Sequence, residues 1–191
     1  MNIFKLVPVW LILFAVSAQA NPVDGELTEF HSPGGLKEQC VQIHPMPGAR
    51  YSKSDRKSEA EYCKLDLYRL ALCPKLWSTS PGTILYEIDL DAYNGSPKKF
   101  EQEHCASGHH ARDAARHKPA IFKISVNDRD TSATYAPSSW TYYHFSRYFD
   151  VSLHVPVAVY RSMDAEQHNA RVVKPALGVT AGHRNLRMLA A

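Results

Sequence analysis

The sequence lacks an apolar run long enough to cross a bilayer, and it lacks a large net charge of either sign. The apolar run near its start, LVPVWLILFAV at residues 6–16, has 11 residues, whereas a membrane-spanning helix takes about 20. The chain carries 22 basic and 19 acidic side chains, which give a formal net charge of +3. That balance indicates neither a nucleic-acid-binding protein nor a protein that binds acidic polymers.

Several motifs that mark common active sites are also missing. No G-x-S-x-G occurs, so no serine is placed on the sharp turn from which many hydrolases present their nucleophile. No C-x-x-C-H occurs, which excludes covalent attachment of a c-type haem. No motif therefore identifies a complete set of catalytic residues.

The first 20 residues have the layout of a secretory signal peptide. Lys5 supplies a positive start, the apolar run follows, and Ala18 and Ala20 place small residues before a cut at Asn21. We expect an exported protein, periplasmic or extracellular, with no stable membrane insertion after cleavage. Removing these 20 residues from 191 leaves 171, enough for one domain with a sizeable core.

The cysteines predict two disulfides, because all four lie in the exported part of the chain. They are Cys40, Cys63, Cys73 and Cys105. Residues 58–73 predict one helix with Ser58 and Glu61 as its capping box, and on it Cys63 and Cys73 would lie about 15 Å apart. A disulfide needs Cα atoms within about 7 Å. Two pairings stay open: Cys40–Cys63 with Cys73–Cys105, or Cys40–Cys73 with Cys63–Cys105.

The order of the predicted elements favours an α+β fold with a small, mainly antiparallel sheet and packed helices, disulfide-stapled. Residues 21–56 are rich in proline, glycine and charge, and they predict an irregular N-terminal arm. A single α+β domain is expected over residues 57–175, followed by a tail over residues 176–191.

Three predicted strands make up the sheet. Alternating polarity predicts strands at residues 83–90 and 119–126, with Leu85 on the outer face of the first. A third strand, residues 153–160, contains Pro156, which favours an edge position or an irregular start because proline donates no ladder hydrogen bond.

Three further helices are predicted. The first covers residues 98–104, after a turn at Asn94-Gly95. The second covers residues 138–149, with Ser138 or Ser139 as its N-cap, and we expect its aromatic side to pack into the core. The third covers residues 164–174 and ends before Pro175.

Histidines are dense between residues 104 and 117, and they are candidate metal ligands. Neutral imidazole binds zinc and copper, and a loop can bring three such rings together. The spacing matches no common zinc motif, so the alternative is a solvent-exposed polar loop. The candidates are His104, His109, His110 and His117.

Lys123 is the candidate for phosphate binding. It stands in HKPAIFKISVNDRD, between buried positions of a predicted strand and before a polar turn. With the helix PSSWTYYHFSRYF and the strand VPVAVY, this order resembles the small N-terminal lobe of protein-kinase-like phosphotransferases, in particular the lipid-kinase and HipA-like type, over about residues 83–164. The resemblance implies that Lys123 contacts nucleotide phosphate, with ATP and a divalent metal as cofactors. The alternative is a solvated strand lysine.

The resemblance implies a nucleotide-contacting fragment or an inactive relative, because such enzymes take their metal-binding carboxylates and catalytic base from a second lobe. Residues 138–149 also contain no Asp or Glu to pair with the lysine. From the residues alone we expect an exported, disulfide-stabilised binding or interaction module without a complete active site. Its partner would be a protein or a small-molecule ligand.

Overall fold

The computed structural model describes residues 24–75, 82–124, 136–151 and 153–181. The predicted signal peptide, residues 1–20, lies outside them. Helices combine with two three-stranded antiparallel sheets, which confirms the α+β fold class. Within the described ranges, no helix is both long enough and apolar enough to span a membrane.

The first sheet contains β1 (Gly25–His31), β2 (Lys37–Ile43) and β6 (Tyr160–Arg161), in the order β1-β2-β6. The prediction of an irregular arm over residues 21–56 was therefore wrong, since an antiparallel hairpin occupies much of it. β6 has only two residues and lies at the sheet edge. The predicted strand over residues 153–160 was therefore wrong for all but its last residue, and Pro156 lies outside any strand.

Local backbone chemistry explains the hairpin. Ser32 Oγ accepts hydrogen bonds from the amides of Gly34 and Leu36 at 3.2 and 3.1 Å. Gly35 has a φ of +82°, a left-handed conformation that favours glycine. At the other end, a Cβ on Gly25 would lie 2.4 Å from the carbonyl oxygen of Gln42, so the pairing of the two strands requires glycine there.

Helix α1 (Lys53–Lys64) is shorter and earlier than the predicted helix over residues 58–73. Its capping box is formed by Ser52 and Asp55, not by Ser58 and Glu61. The helix ends because Asp66 accepts a hydrogen bond from the Tyr68 amide at 2.9 Å, a local turn that competes with helical hydrogen bonding. Strand β3 (Ala71–Pro74) follows.

The second sheet contains β3, β4 (Thr83–Glu87) and β5 (His117–Phe122), in that order. Helices α2 (Pro97–His104) and α3 (Gly108–Ala114) cover one face, on which Tyr86 and Phe100 are buried. The opposite face is also buried, and Leu72 and Leu85 meet there as cross-strand partners. The prediction that Leu85 faces outward was therefore wrong.

The C-terminal helical segment covers this second face. It consists of α5 (Ala165–His168), a π-helical turn (Asn169–Val173) and α6 (Lys174–Thr180). The predicted end before Pro175 was wrong. A regular helix would bring the Pro175 ring against the carbonyl of Arg171, and the wider π-helical turn directly before the proline lets the helix continue.

Helix α4 (Pro137–Tyr148) precedes β6 in the chain. Its predicted N-cap was wrong, because Ala136 occupies the cap position and Ser138 and Ser139 lie inside the first turn. The predictions for α2 and for the turn before it are confirmed. Asn94 and Gly95 have φ values of 55° and 72°, the left-handed conformations expected of such a turn.

The structure selects one of the two open disulfide pairings. Cys40 of β2 is bonded to Cys63 of α1, and Cys73 of β3 is bonded to Cys105 at the end of α2. All four cysteines are buried. Each disulfide thus fixes one helix against one sheet, and disulfides are typical of proteins outside the cytoplasm.

We predict that the double variant Cys40→Ser/Cys63→Ser has a free energy of unfolding about 2–4 kcal/mol lower than the wild type. The cross-link joins residues 23 apart in the sequence, and its loss gives the unfolded chain more conformational freedom. Urea denaturation followed by circular dichroism measures the change. An unaltered midpoint would contradict a stabilising role.

Candidate functional site

Lys123 directly follows the last residue of β5 and does not lie inside a strand as predicted. Its ammonium group donates a hydrogen bond to Ser139 Oγ of α4 at 3.1 Å. Lys123 and Lys118 each lie near Lys75: burial lowers the pKa of the Lys75 ammonium, and the positive charges of Lys123 and Lys118 lower it further. Three lysines therefore form a basic group beside the second sheet.

The candidate metal-binding histidines lie on different elements. His104 ends α2, where its Nε2 is 3.0 Å from the Tyr93 hydroxyl. His110 in α3 and His117 in β5 are exposed, and His109 lies in α3 with its side chain outside the described part. Among the described residues, no three His, Cys, Asp or Glu side chains are placed to hold a metal ion. Metal binding here stays a prediction.

A buried polar cluster joins α1 to α4, and we call it the α1–α4 polar cluster. Glu59, only 1% exposed, accepts hydrogen bonds from the Tyr143 hydroxyl at 2.7 Å and from Arg56 Nη1 at 2.5 Å. Two hydrogen bonds of 2.9 Å join the Arg147 guanidinium to Asp55. The members are Tyr51, Asp55, Arg56, Glu59, Tyr143, His144 and Arg147.

Burial and charge pairing shift the pKa values in this cluster. The hydrogen bonds from Arg147 lower the pKa of Asp55 to about 2. Burial, followed by the hydrogen bond to Glu59, raises the pKa of Tyr143. Burial, helped by the charges of Arg56 and Arg147, lowers the pKa of His144 to about 4. His144 is therefore a neutral imidazole at pH 7.

Within the described part of the chain, only one of the two ring nitrogens of His144 has a hydrogen-bond partner. Its Nδ1 lies 2.7 Å from the Tyr51 hydroxyl, while within the described part of the chain neither its Nε2 nor the indole nitrogen of Trp140 has a hydrogen-bond partner. The two rings pack edge to face with centroids 4.9 Å apart. Because both carboxylates of the cluster are bound by arginines, we assign it a structural role, which is to support α4.

The outer side of α4 and the segment directly after it carry exposed apolar side chains, which we call the aromatic face. Their exposed fractions lie between 43% and 72%. The expectation that this aromatic side packs into the core was wrong for these residues, although Tyr143 is buried. The aromatic face consists of Tyr142, Phe145 and Tyr148 in α4, Phe149 at its C-cap, and Val151 and Leu153 in the segment that follows.

The rings of the aromatic face contact one another. Phe149 packs edge to face against Phe145, with centroids 6.0 Å apart, and against Tyr148, with centroids 5.1 Å apart. Such pairs are favourable beyond the area that they bury. Large apolar patches of this kind often mark interaction surfaces.

The helical positions of the aromatic residues contain a signal that the sequence argument missed. Tyr142 and Tyr143 are adjacent, so in a helix with 3.6 residues per turn they point about 100° apart. Phe145 and Phe149, three and seven residues after Tyr142, fall on the side of Tyr142. The pattern therefore divides the aromatic residues between two sides of α4, and the structure buries the side of Tyr143.

A cavity of about 130 Å³ lies between α2 and the C-terminal helical segment. Glu101 and Arg171 line it as a buried ion pair. Arg171 also donates to the carbonyls of Leu67 and Leu70 at 3.0 and 2.7 Å, and Glu101 accepts from the Leu72 amide at 2.8 Å. Because these two charged groups already bond to each other and to the backbone, they have little remaining capacity to bind a ligand in the cavity.

No protein-family model, no curated protein and no solved structure matches this chain. The contacts described above are therefore the basis for any functional proposal.

We predict that His144 makes stability depend on pH between 6.5 and 4. Its folded pKa of about 4 lies below the ordinary value of 6.5, so the unfolded chain binds the proton more readily in this range. The contribution of about 3 kcal/mol is complete above pH 6.5 and is lost as pH falls towards the folded pKa. Urea denaturation at a series of pH values measures it.

The variant His144→Gln can still bond to the Tyr51 hydroxyl but does not titrate. We expect its free energy of unfolding to fall less than that of the wild type between pH 6.5 and 4. His110→Gln is the matched control, because this exposed histidine lies outside the cluster. Equal pH dependence in the wild type and His144→Gln would refute the assignment.

Proposed function

We propose that this chain is an exported, disulfide-stabilised binding module that contacts its partner through the aromatic face of α4. The observation that carries the proposal is the exposure of six large apolar side chains within residues 142–153, where Phe149 is 67% exposed and contacts the rings of both Phe145 and Tyr148. Exposed apolar residues scattered singly need no explanation, whereas a contiguous patch does.

The first 20 residues and the two disulfides support export. Residues 1–20 have the charge, apolar run and small residues of a signal peptide. The two disulfides would persist in an oxidising compartment such as the periplasm or the cell exterior. Both sheets carry one disulfide-bonded cysteine each, Cys40 in the first and Cys73 in the second.

The α1–α4 polar cluster supports the binding role because it fixes the inward side of α4, opposite the aromatic face, to α1. Arg147 and Tyr143 lie in the last two turns of the helix, where they bond to Asp55 and Glu59 of α1. A surface that is already ordered loses less conformational entropy when a partner binds. The aromatic face is therefore a preorganised platform.

The chemistry of the face favours a protein partner. Arg147 is the one Lys, Arg, Asp or Glu in the sequence of α4, and it is paired with Asp55. Asp150, the acidic residue that follows Phe149, is paired with Arg50 at 2.7 Å. Aromatic residues are enriched and charged residues depleted at the centres of protein interfaces, which matches this composition.

The proposal is tested by photo-crosslinking in cells that produce the protein, with the cross-linker incorporated into the aromatic face. With p-benzoylphenylalanine at Tyr142 we expect a protein adduct of defined mass, because this side chain lies on the proposed contact. The adduct should disappear when Phe149→Asp is added. The matched control carries the same cross-linker at Leu36, which is 57% exposed but lies in the hairpin turn.

Two results would argue against the binding role. One is the absence of a defined adduct from position 142. The other is an adduct of equal yield from position 36, since a nonspecific encounter would label both surfaces.

A second candidate function is anion binding by Lys123, as the kinase-like resemblance implies. The observation that favours it is the group of three lysines, in which Lys123 reaches α4 through Ser139 while Lys75 and Lys118 add positive charge. In this function the chain contacts nucleotide phosphate as a small-lobe fragment or an inactive relative of a phosphotransferase, without transferring it.

We predict that Lys123→Ala weakens binding of a nonhydrolysable ATP analogue by about tenfold or more, the loss expected for one charge-assisted hydrogen bond. Isothermal titration calorimetry measures the affinity. Lys57→Ala is the matched control, because Lys57 is exposed on α1 and belongs to a different surface. Binding that is absent in the wild type, or equal in the Lys123→Ala variant, rejects this function.

A further inference from the structure

We propose that the partner of the aromatic face is a second copy of this chain, with α4 packed against α4 around a two-fold axis near Phe145. The inference rests on the proposed binding function and names its partner. Three properties of the face support it: its charge, its area and its helical geometry.

The charge of the face permits contact with itself. A two-fold dimer brings the same patch of both subunits together, so an unpaired charge there would meet a like charge. The guanidinium of Arg147 is turned inward to Asp55, and the charges of Arg50 and Asp150 neutralise each other. The six side chains of the face are themselves uncharged, so self-contact brings no like-charge repulsion.

The area of the face suits a stable dimer. At about 150–250 Å² for a large side chain, the six exposed fractions of 43–72% amount to about 700 Å². A specific protein interface buries about 800 Å² on each partner. The face therefore covers most of a standard interface, and polar residues around it would supply the remaining rim.

The positions of the aromatic residues along α4 indicate which residue lies nearest the two-fold axis. Tyr142, Phe145 and Phe149 occupy positions i, i+3 and i+7 of one continuous segment, so they form a ridge along one side of α4 and its end. Helices pack by fitting such ridges into the grooves of the partner helix, at axial distances of about 8–10 Å. Phe145 lies one turn from each of the other two, which makes it the residue nearest the two-fold axis.

Sedimentation equilibrium of the purified, oxidised mature protein tests the inference. We expect the wild type to move from monomer to dimer mass as its concentration rises. Phe145→Asp should weaken the dimer by about 100-fold or more, because the symmetry places the charge in the interface twice and each copy costs about tenfold. Leu36→Asp, which adds the same charge to the hairpin turn, should leave the dimer unchanged.

A mixing experiment separates self-contact from contact with another protein. Phe145→Asp and Phe145→Lys should each be monomeric alone, since like charges meet at the axis. Mixed in equal amounts they should form a heterodimer, because opposite charges then meet. Phe149→Asp is a second disrupting variant at a site 67% exposed, and circular dichroism with a free-thiol assay confirms that each variant is folded and oxidised.

The outcomes distinguish this inference from the proposed function. The inference is overturned if the wild type stays monomeric or if Phe145→Asp and Phe149→Asp leave the dimer intact. It is also overturned if Leu36→Asp dissociates the dimer, or if the mixture of Phe145→Asp and Phe145→Lys fails to associate. If the protein is monomeric but Tyr142 still cross-links to a different protein, the binding function stands and the dimer is rejected. If neither association nor an adduct is found, both are rejected.

Discussion

The buried ion pair between Glu101 and Arg171 determines how the helices are placed around the second sheet. Glu101 comes from α2 and Arg171 from the C-terminal helical segment, and between them they bind the Leu72 amide at the open edge of β3 and the carbonyls of Leu67 and Leu70. Burying two charges costs several kcal/mol per ion, but here the charges also satisfy backbone groups that would otherwise be buried without partners. Helices on both faces of the sheet are thereby fixed to one strand.

The same physical rule decides which side of α4 faces inward. Asp55 and Glu59 are buried carboxylates, and each requires donors to offset the loss of water. Arg147 and Tyr143 supply those donors, so their side of α4 packs against α1. Phe145, on another side, has no polar group that demands a buried partner. Polar pairing thus leaves apolar rings outside, contrary to the simple expectation that aromatic residues are buried.

Local sequence signals predicted part of this fold. Asn94-Gly95 predicted the turn before α2, because few other residues accept left-handed backbone. The apolar and polar alternation in β5 was recognised for the same local reason. The candidate site was predicted less well: Lys123 was found as a candidate, whereas the exposure of Phe149 was not. Which side of α4 is buried depends on Asp55, which lies 92 residues before its partner Arg147 in the chain.

The sequence by itself determined the α+β class, the turn at Asn94-Gly95 and the presence of two disulfides, because composition, short-range hydrogen bonding and backbone preference act within a few residues. Only the tertiary structure decided that Cys40 pairs with Cys63 and Cys73 with Cys105. It also decided where α1 ends and which aromatic residues remain exposed. These outcomes depend on contacts between distant segments, whose burial and charge compensation no local pattern contains.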